Sequence, residues 1–181
     1  MSEHDEIDVE RPNAARMYDY YLGGSTNFEV DRAAAEAGRG AMPDAETYAR
    51  ANRAFLGRAV RYLCSVGIDQ FLDLGSGIPT KGNVHEIARQ ANPEARVAYV
   101  DIESVAVAHS RRILADVDGV TVTRADIRRP DTVLNAPGVA GLLDFSRPVA
   151  VLAVAIMPFV PDDAEAAAVM AAYRQACTSG S

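Results

Sequence analysis

The sequence predicts an α/β protein: a doubly wound, Rossmann-like parallel sheet preceded by a helical N-terminal cap. Three observations carry this. The apolar run Phe71-Leu72-Asp73-Leu74 breaks into Gly75-Ser76-Gly77-Ile78-Pro79-Thr80, an Asp-x-Gly-x-Gly pattern that reads as a buried strand delivering a ligand-binding turn. A second apolar strand, Arg96-Val97-Ala98-Tyr99-Val100, ends on Asp101, 24 residues after Gly77, which is the spacing of a βαβ unit whose second strand closes on a carboxylate. From Phe71 onward, short apolar runs alternate with helical patterns, as helices covering a parallel sheet require.

Each element follows from its local chemistry. Met1 to Glu10 is polar and acidic and reads as a frayed tail. Pro12 to Leu22 has helical character and stops at Gly23-Gly24, where glycine permits the left-handed turn that ends a helix. Asp31 to Arg39 and Ala45 to Ser65 are further helices, the latter with Phe55, Leu56, Ala59, Val60 and Leu63 at helical spacing. Residues 1–66 form the tail and cap; residues 67–181 form the core. Within the core the strands fall at 71–74, 97–100, 120–123 and 149–156. Helices fall at about 84–90 and 105–115. Asn83 and Glu86 resemble a capping box, and Val84, Ile87, Ala88 and Ala91 mark the buried stripe behind it. Val149 to Ile156 is apolar on both faces, as an internal parallel strand would be. Pro161-Asp162-Asp163 opens a last helix running to about Cys177.

Bulk composition narrows the function. The chain has 181 residues, 49% hydrophobic and 24% charged, with a net charge of -7; this is a globular composition large enough for one core. The negative charge argues against a general nucleic-acid surface. Arg111-Arg112 and Arg128-Arg129 are short pairs that read as solvated faces. The start lacks the basic and apolar regions of a secretory signal, and Val149 to Met157 is far shorter than the roughly 20 residues that span a bilayer. A cytoplasmic location without membrane attachment is expected. Cys64 and Cys177 have no Cys-x-x-Cys spacing, and His4, His85 and His109 are scattered, so no metal is expected.

The loop chemistry separates the candidate cofactors. A dinucleotide fingerprint needs Gly-x-Gly-x-x-Gly, yet Thr80 stands at its third glycine, and Asp73 would repel a pyrophosphate. Lys81 suggests a phosphate loop, but the Gly-x-x-x-x-Gly-Lys-Ser/Thr spacing is missing. S-adenosyl-L-methionine carries no phosphate, and its ammonium and sulfonium favour a nearby carboxylate. It is the cofactor that fits the loop.

Tyr18 to Phe28 (Tyr-Asp-Tyr-Tyr-Leu-Gly-Gly-Ser-Thr-Asn-Phe), Asn52-Arg53-Ala54-Phe55-Leu56, Phe71 to Thr80, Asn83-Val84-His85-Glu86 and Tyr99-Val100-Asp101 together resemble one family. It is the bacterial S-adenosylmethionine-dependent methyltransferase family common in actinomycetes, whose members often carry only a domain-of-unknown-function label. The resemblance runs from about Arg11 onward. It implies a class I methyltransferase sheet of order 3-2-1-4-5-7-6, with the cofactor across the carboxyl ends of strands one and two. This chain ends on the helix after strand four, so strands five to seven of that order are expected to be missing and strand four to be an eight-residue apolar edge. A homo-oligomer covering that edge is one expectation. A further departure is Met157-Pro158-Phe159 after strand four, where such families often have a polar or aromatic residue.

Candidate site residues follow. Asp73 orients the loop and the cofactor amino group, or else caps local N–H groups. Gly75 and Gly77 admit close cofactor approach. Asp101 accepts both ribose hydroxyls, or else starts the next helix. The resemblance places Asp126 against the adenine amino group, the competing reading being a loop aspartate paired with Arg128. Tyr18, Tyr21 and Asn27 form a lid over the methionine half, or the tyrosines simply pack the first helix. Arg53 meets the cofactor carboxylate or lies on a solvated face. His85 is a candidate base or a surface histidine at a helix start. The expected activity is methyl transfer to a small-molecule acceptor. An aminopropyl-type transferase and a non-catalytic cofactor-binding module are the alternatives.

Overall fold

The computed structural model describes residues 9–79 and 82–181. Most of the acidic tail, and the Thr80 and Lys81 on which the loop comparison turned, lie outside the described residues. Three helices come first, α1 (Ala14–Tyr21), α2 (Glu29–Gly38) and α3 (Ala45–Ser65). Strands and helices then alternate through β1 (Gln70–Leu74), α4 (Val84–Ala91), β2 (Arg96–Asp101), α5 (Ser104–Ile113) and β3 (Val120–Arg124). Two short helices, α6 (Pro130–Leu134) and α7 (Pro137–Ala140), precede β4 (Ala150–Leu152), and α8 (Asp163–Ala176) follows a 3-10 turn at Met157–Phe159.

All four strands are parallel, in the order β3-β2-β1-β4. The chain winds one way from β1 to β3 and then returns to the other side of β1. In such sheets ligands bind beyond the carboxyl ends of the strands, where the winding reverses. The period-two alternation of side chains divides the core between two faces. Phe71, Val97, Tyr99, Ala150 and Leu152 pack with Leu56 and Val60 of α3 and with Val84 and Ile87 of α4. Leu72, Leu74, Ala98 and Val100 pack on the other face with Val133, Val139, Val169 and Tyr173. Asp73 lies opposite Tyr99 in the register, so alternation puts it on the α3 side.

The elements begin where side chains satisfy their first N–H groups. Asn13 Oδ1 accepts from Ala15 N at 2.8 Å and Arg16 N at 3.3 Å, which starts α1 two residues later than the helical pattern from Pro12 suggests. Asp31 Oδ2 accepts from Phe28 N at 2.9 Å, which starts α2 two residues early. Glu86 Oε2 accepts from Asn83 N at 3.1 Å, the reciprocal half of the expected capping box. Gly23 has φ +75, the left-handed turn that stops α1. Prolines at the first turns of α6 and α7 set φ for short helices that the apolar periodicity does not reveal.

Strand four departs most from the sequence expectation: it covers three residues, not the eight of 149–156. Its partners on β1 are Phe71, Leu72 and Asp73 only. Beyond them the loop after β1 leans the other way, with Gly75 N and Ser76 N both donating to Val100 O of β2 at 2.8 and 3.1 Å. With no partner left, the chain after Leu152 leaves the sheet, and Ala155 turns it at φ +61, a conformation that is strained for a residue with a Cβ.

The cap is tied together by a buried ion pair. Arg16 Nε donates to Asp31 Oδ2 at 2.8 Å, with the two side chains 1% and 0% exposed. Asp31 Oδ1 also accepts from Asn13 N at 2.9 Å. The Arg16 guanidinium lies 5.2 Å from the centroid of the Phe28 ring and 4.0 Å from Glu103 at the start of α5, so one cation joins α1, α2 and the core. No helix among the described residues is long and apolar enough to cross a membrane. Breaking the pair by Arg16→Ala or Asp31→Ala alone strands a buried charge and is expected to cost about 3–5 kcal/mol in urea unfolding. The joint Arg16→Met/Asp31→Leu replacement is expected to cost less than either single change.

Candidate functional site

The site is built where β1 and β2 end. Gly75 and Gly77 have φ +68 and +65, and the loop they form is held on Asp101. Gly77 N donates to Asp101 Oδ2 at 2.7 Å, and Glu103 N donates to Asp101 Oδ1 at 2.8 Å. One carboxylate therefore spans the loops after both strands. Burial raises its pKa, while the N–H groups of Glu103 and Gly77 oppose the rise.

Above the loop lies a cavity of about 350 Å³, within the range of small-molecule sites. Gly75 to Ile78 and Asp101 to Glu103 line one side, Asn13, Tyr18 and Asp19 of the α1 region and Asn52 and Arg53 of α3 line another, and Val154 to Ile156 with Phe159 close the end. The 154–156 segment reaches this position because β4 stops early. Ile156 packs so closely on the loop that a Cβ on Gly75 would come within 2.4 Å of it.

Asp73 is 7% exposed and lines the cavity. Burial pushes its carboxyl up to about 7, against the Arg53 guanidinium, which favours the charged form, and with Asp101 adding to the rise. Across the strand pair, Tyr99 is also raised by burial and by the Asp73 charge. The donors nearby are incompletely used. Asn52 Nδ2 and Arg53 Nε are the buried side-chain polar atoms without a hydrogen-bond partner among the described residues, and both residues line the cavity. Buried donors of this kind ordinarily have a partner, and a bound anion would supply one.

Of the residues singled out in the sequence, the structure brings Tyr18, Arg53, Asp73, Gly75, Gly77 and Asp101 to this cavity. It does not bring Tyr21, Asn27 or Asp126 there. Tyr21 faces α2, its hydroxyl 3.5 Å from Ala35 O. Asn27 sits one layer back, its Nδ2 donating to Asp19 Oδ2 at 2.8 Å and Gly24 O at 3.0 Å, so it braces a lining residue rather than lining. Asp126 is gripped by Arg128, which donates from Nε at 3.0 Å and from a terminal nitrogen at 2.6 Å and lowers its pKa. His85 is neither a cavity base nor a surface residue. It is 8% exposed, its backbone N–H donates to Tyr99 Oη at 3.0 Å, its Nδ1 lies 2.7 Å from the same oxygen, and burial lowers its pKa.

Sequence reasoning missed Asn13, Asp19, Asn52 and Glu103. Asp19 is 2% exposed, and its Oδ2 accepts from Thr26 N at 2.9 Å as well as from Asn27. Gly24 makes room for it, because a Cβ there would lie 1.9 Å from Asp19 Oδ1. The available signal was a charged residue on the inner face of a helix otherwise packed by tyrosines.

Two predictions follow from this geometry. Gly75→Ala combines a left-handed φ with a clash on Ile156, whereas Gly77→Ala meets open space and carries only the conformational cost of roughly 1–2 kcal/mol. Thermal unfolding is expected to show the larger loss for Gly75→Ala, partly recovered by adding Ile156→Ala. For Asp73, a folded pKa of about 7 against its ordinary 3.8 means that the folded chain holds a proton the unfolded chain releases between about pH 4 and 7. Raising pH through that window weakens the ligand-free fold. Asp73→Asn cannot ionise, so its melting temperature relative to the parent is expected to rise steadily from pH 4 to pH 7 and level off above.

Comparison with known proteins places the chain. No curated protein matches it. Its fold superposes on a candidate methyltransferase from Thermobifida fusca YX with a TM-score of 0.91 at 43% identity, covering 95% of this chain and 65% of that one. It also superposes on a DUF574 family protein from Streptomyces avermitilis MA-4680 with a TM-score of 0.91 at 38% identity, covering 97% and 68%. The chain thus spans about two thirds of the length of these solved structures. With residues 1–181 matching the family described as S-adenosyl methyltransferase, and the Asp-x-Gly-x-Gly loop clamped on Asp101, the chain belongs to the S-adenosyl methyltransferase family.

Proposed function

We propose that the cavity holds S-adenosylmethionine and that the protein is a methyltransferase acting on a small molecule. The observation that carries the reading is the Asp101 clamp beneath a cavity also lined by Asn52 and Arg53, each of which holds an unpartnered buried donor. Each Asp101 oxygen accepts one backbone N–H and keeps a lone pair for a ribose hydroxyl. Ile78 and Ile102 supply apolar lining suited to a purine. Asn52 Nδ2 and Arg53 Nε suit a carboxylate. An aminopropyl-type cofactor lacks that carboxylate, so these donors favour the complete amino acid end.

Bound there, S-adenosylmethionine supplies a methyl group that an acceptor lone pair takes in line as the carbon–sulfur bond breaks. The chain's own residues position and shield. Asp101 and Gly77 fix one end, Tyr18 covers the cavity while its hydroxyl donates to Ala49 O at 3.0 Å, and Val154 to Ile156 exclude water from the end wall. Asp73, near neutrality when the cavity is empty, ionises beside the cofactor ammonium, so binding below pH 7 releases a proton. Neither His85 nor His109 lines the cavity, and alignment is the main contribution the protein makes.

The test is calorimetric titration with S-adenosylhomocysteine, beside NAD. Saturable binding is expected, with no NAD signal. Asp101→Ala is expected to weaken binding at least tenfold, in line with about 1.5–3 kcal/mol for hydrogen bonds to a charged acceptor. At pH 6 the heat is expected to vary with buffer ionisation enthalpy, and in Asp73→Asn to vary less. A folded chain that ignores S-adenosylhomocysteine, or prefers NAD, would refute the reading.

A further inference from the structure

Asp19 and Arg53 line a second cleft as well as the first. It measures about 820 Å³ and opens between α3 and the segment Leu22 to Thr26, with Pro79 and Gly82 at its margin. Among the described residues its charged lining is three arginines, Arg50, Arg53 and Arg61, against Asp19. In a chain of net charge -7 this is a local reversal of sign. The positions explain it. Arg50, Arg53, Gly57 and Arg61 recur at three- and four-residue steps along α3 and so share one face.

The arginines differ in how far they are already engaged. Arg50 is spent in part on Glu46, at 2.7 Å. Arg61 makes no hydrogen bond or ion pair among the described residues. Its guanidinium lies back over Gly57, where a Cβ would meet both terminal nitrogens at 3.5 Å. Arg53 keeps its buried Nε unpartnered. Asp19 forms no ion pair with them; its Oδ2 accepts from Thr26 N and the Asn27 amide. The opposite wall offers the small residues Gly23, Gly24 and Ser25 beside Leu22 and Thr26. A guanidinium with no carboxylate partner among the described residues, lining a cleft with two further arginines, is a receptor for a planar or tetrahedral oxyanion.

We propose that this cleft receives the methyl acceptor, and that the acceptor carries a carboxylate or phosphate group held by Arg61, with its reacting end towards the cofactor cavity that the cleft adjoins at Arg53 and Asp19. The assignment rests on the methyltransferase reading of the adjoining cavity.

The test is an amide NMR titration of the chain saturated with S-adenosylhomocysteine, using inorganic phosphate in one arm and acetate in another, at constant ionic strength with chloride. Saturable shifts at the amides of Gly24, Gly57 and Gly82 are expected in at least one arm, and the arm that gives them identifies the oxyanion. Arg61→Gln is expected to weaken that binding at least fivefold and to leave S-adenosylhomocysteine affinity within twofold. Arg58→Gln removes the same charge from the same helix outside the cleft and is expected to change neither. Shifts absent in both arms while S-adenosylhomocysteine binds would overturn the acceptor assignment and leave the cofactor reading intact. Equal weakening by Arg58→Gln would show a general surface charge effect and overturn it too. Failure of S-adenosylhomocysteine to bind would instead count against the cofactor reading itself.

Discussion

The carboxylate of Asp101 is the constraint on which the rest of the site depends. By accepting Gly77 N from one loop and Glu103 N from the next, it pulls the end of β1 towards β2. The bonds from Gly75 and Ser76 to Val100 O reinforce the same tilt. That tilt deprives β4 of a partner beyond Asp73, so the following segment turns out of the sheet and becomes the cavity's end wall. A parallel sheet that reverses its winding at this point has a crevice there by topology. Asp101 decides which way the crevice opens.

The interior of that crevice is electrostatically unfinished. Asp73 is desolvated enough to sit near neutrality, and buried donors on Asn52 and Arg53 have no acceptor. The two donors depart from the usual rule that buried polar groups are satisfied. All three share one cavity, so a zwitterion with an ammonium and a carboxylate would answer both deficits together. The same reasoning separates the two hollows on either side of Arg53 and Asp19: the first needs both signs of charge, the second only a negative one.

Much of this was legible in the sequence, for identifiable reasons. Phe71 to Gly77 and Val97 to Asp101 announced themselves because buried strands are apolar and glycine turns are sparse. Ala45–Ser65 was legible to both ends, since a long amphipathic helix repeats its signal. The run 149–156 misled because its composition says buried without saying extended, and nothing apolar marks Ala155 as the turn. Asp126 kept two readings open in sequence, and its chelation by Arg128 follows the local one. Asp19 and Asn52 were hidden because a polar side chain on a helix is taken for solvent-facing until the neighbouring layer is known. The Arg16–Asp31 pair is 15 residues apart and becomes visible only when α1 and α2 are folded together.

The closeness of Gly24 to Asp19 has a consequence for how such a protein can diversify. Asp19 is held by Thr26 and Asn27, so position 24 admits no side chain and the rim the two hollows share at Asp19 keeps its shape. Gly57, on the opposite wall, meets its neighbours only at ordinary contact distance. Drift in what the larger hollow accommodates is therefore channelled to α3, where shape can change one residue at a time while the rim shared with the smaller hollow at Asp19 stays as it is.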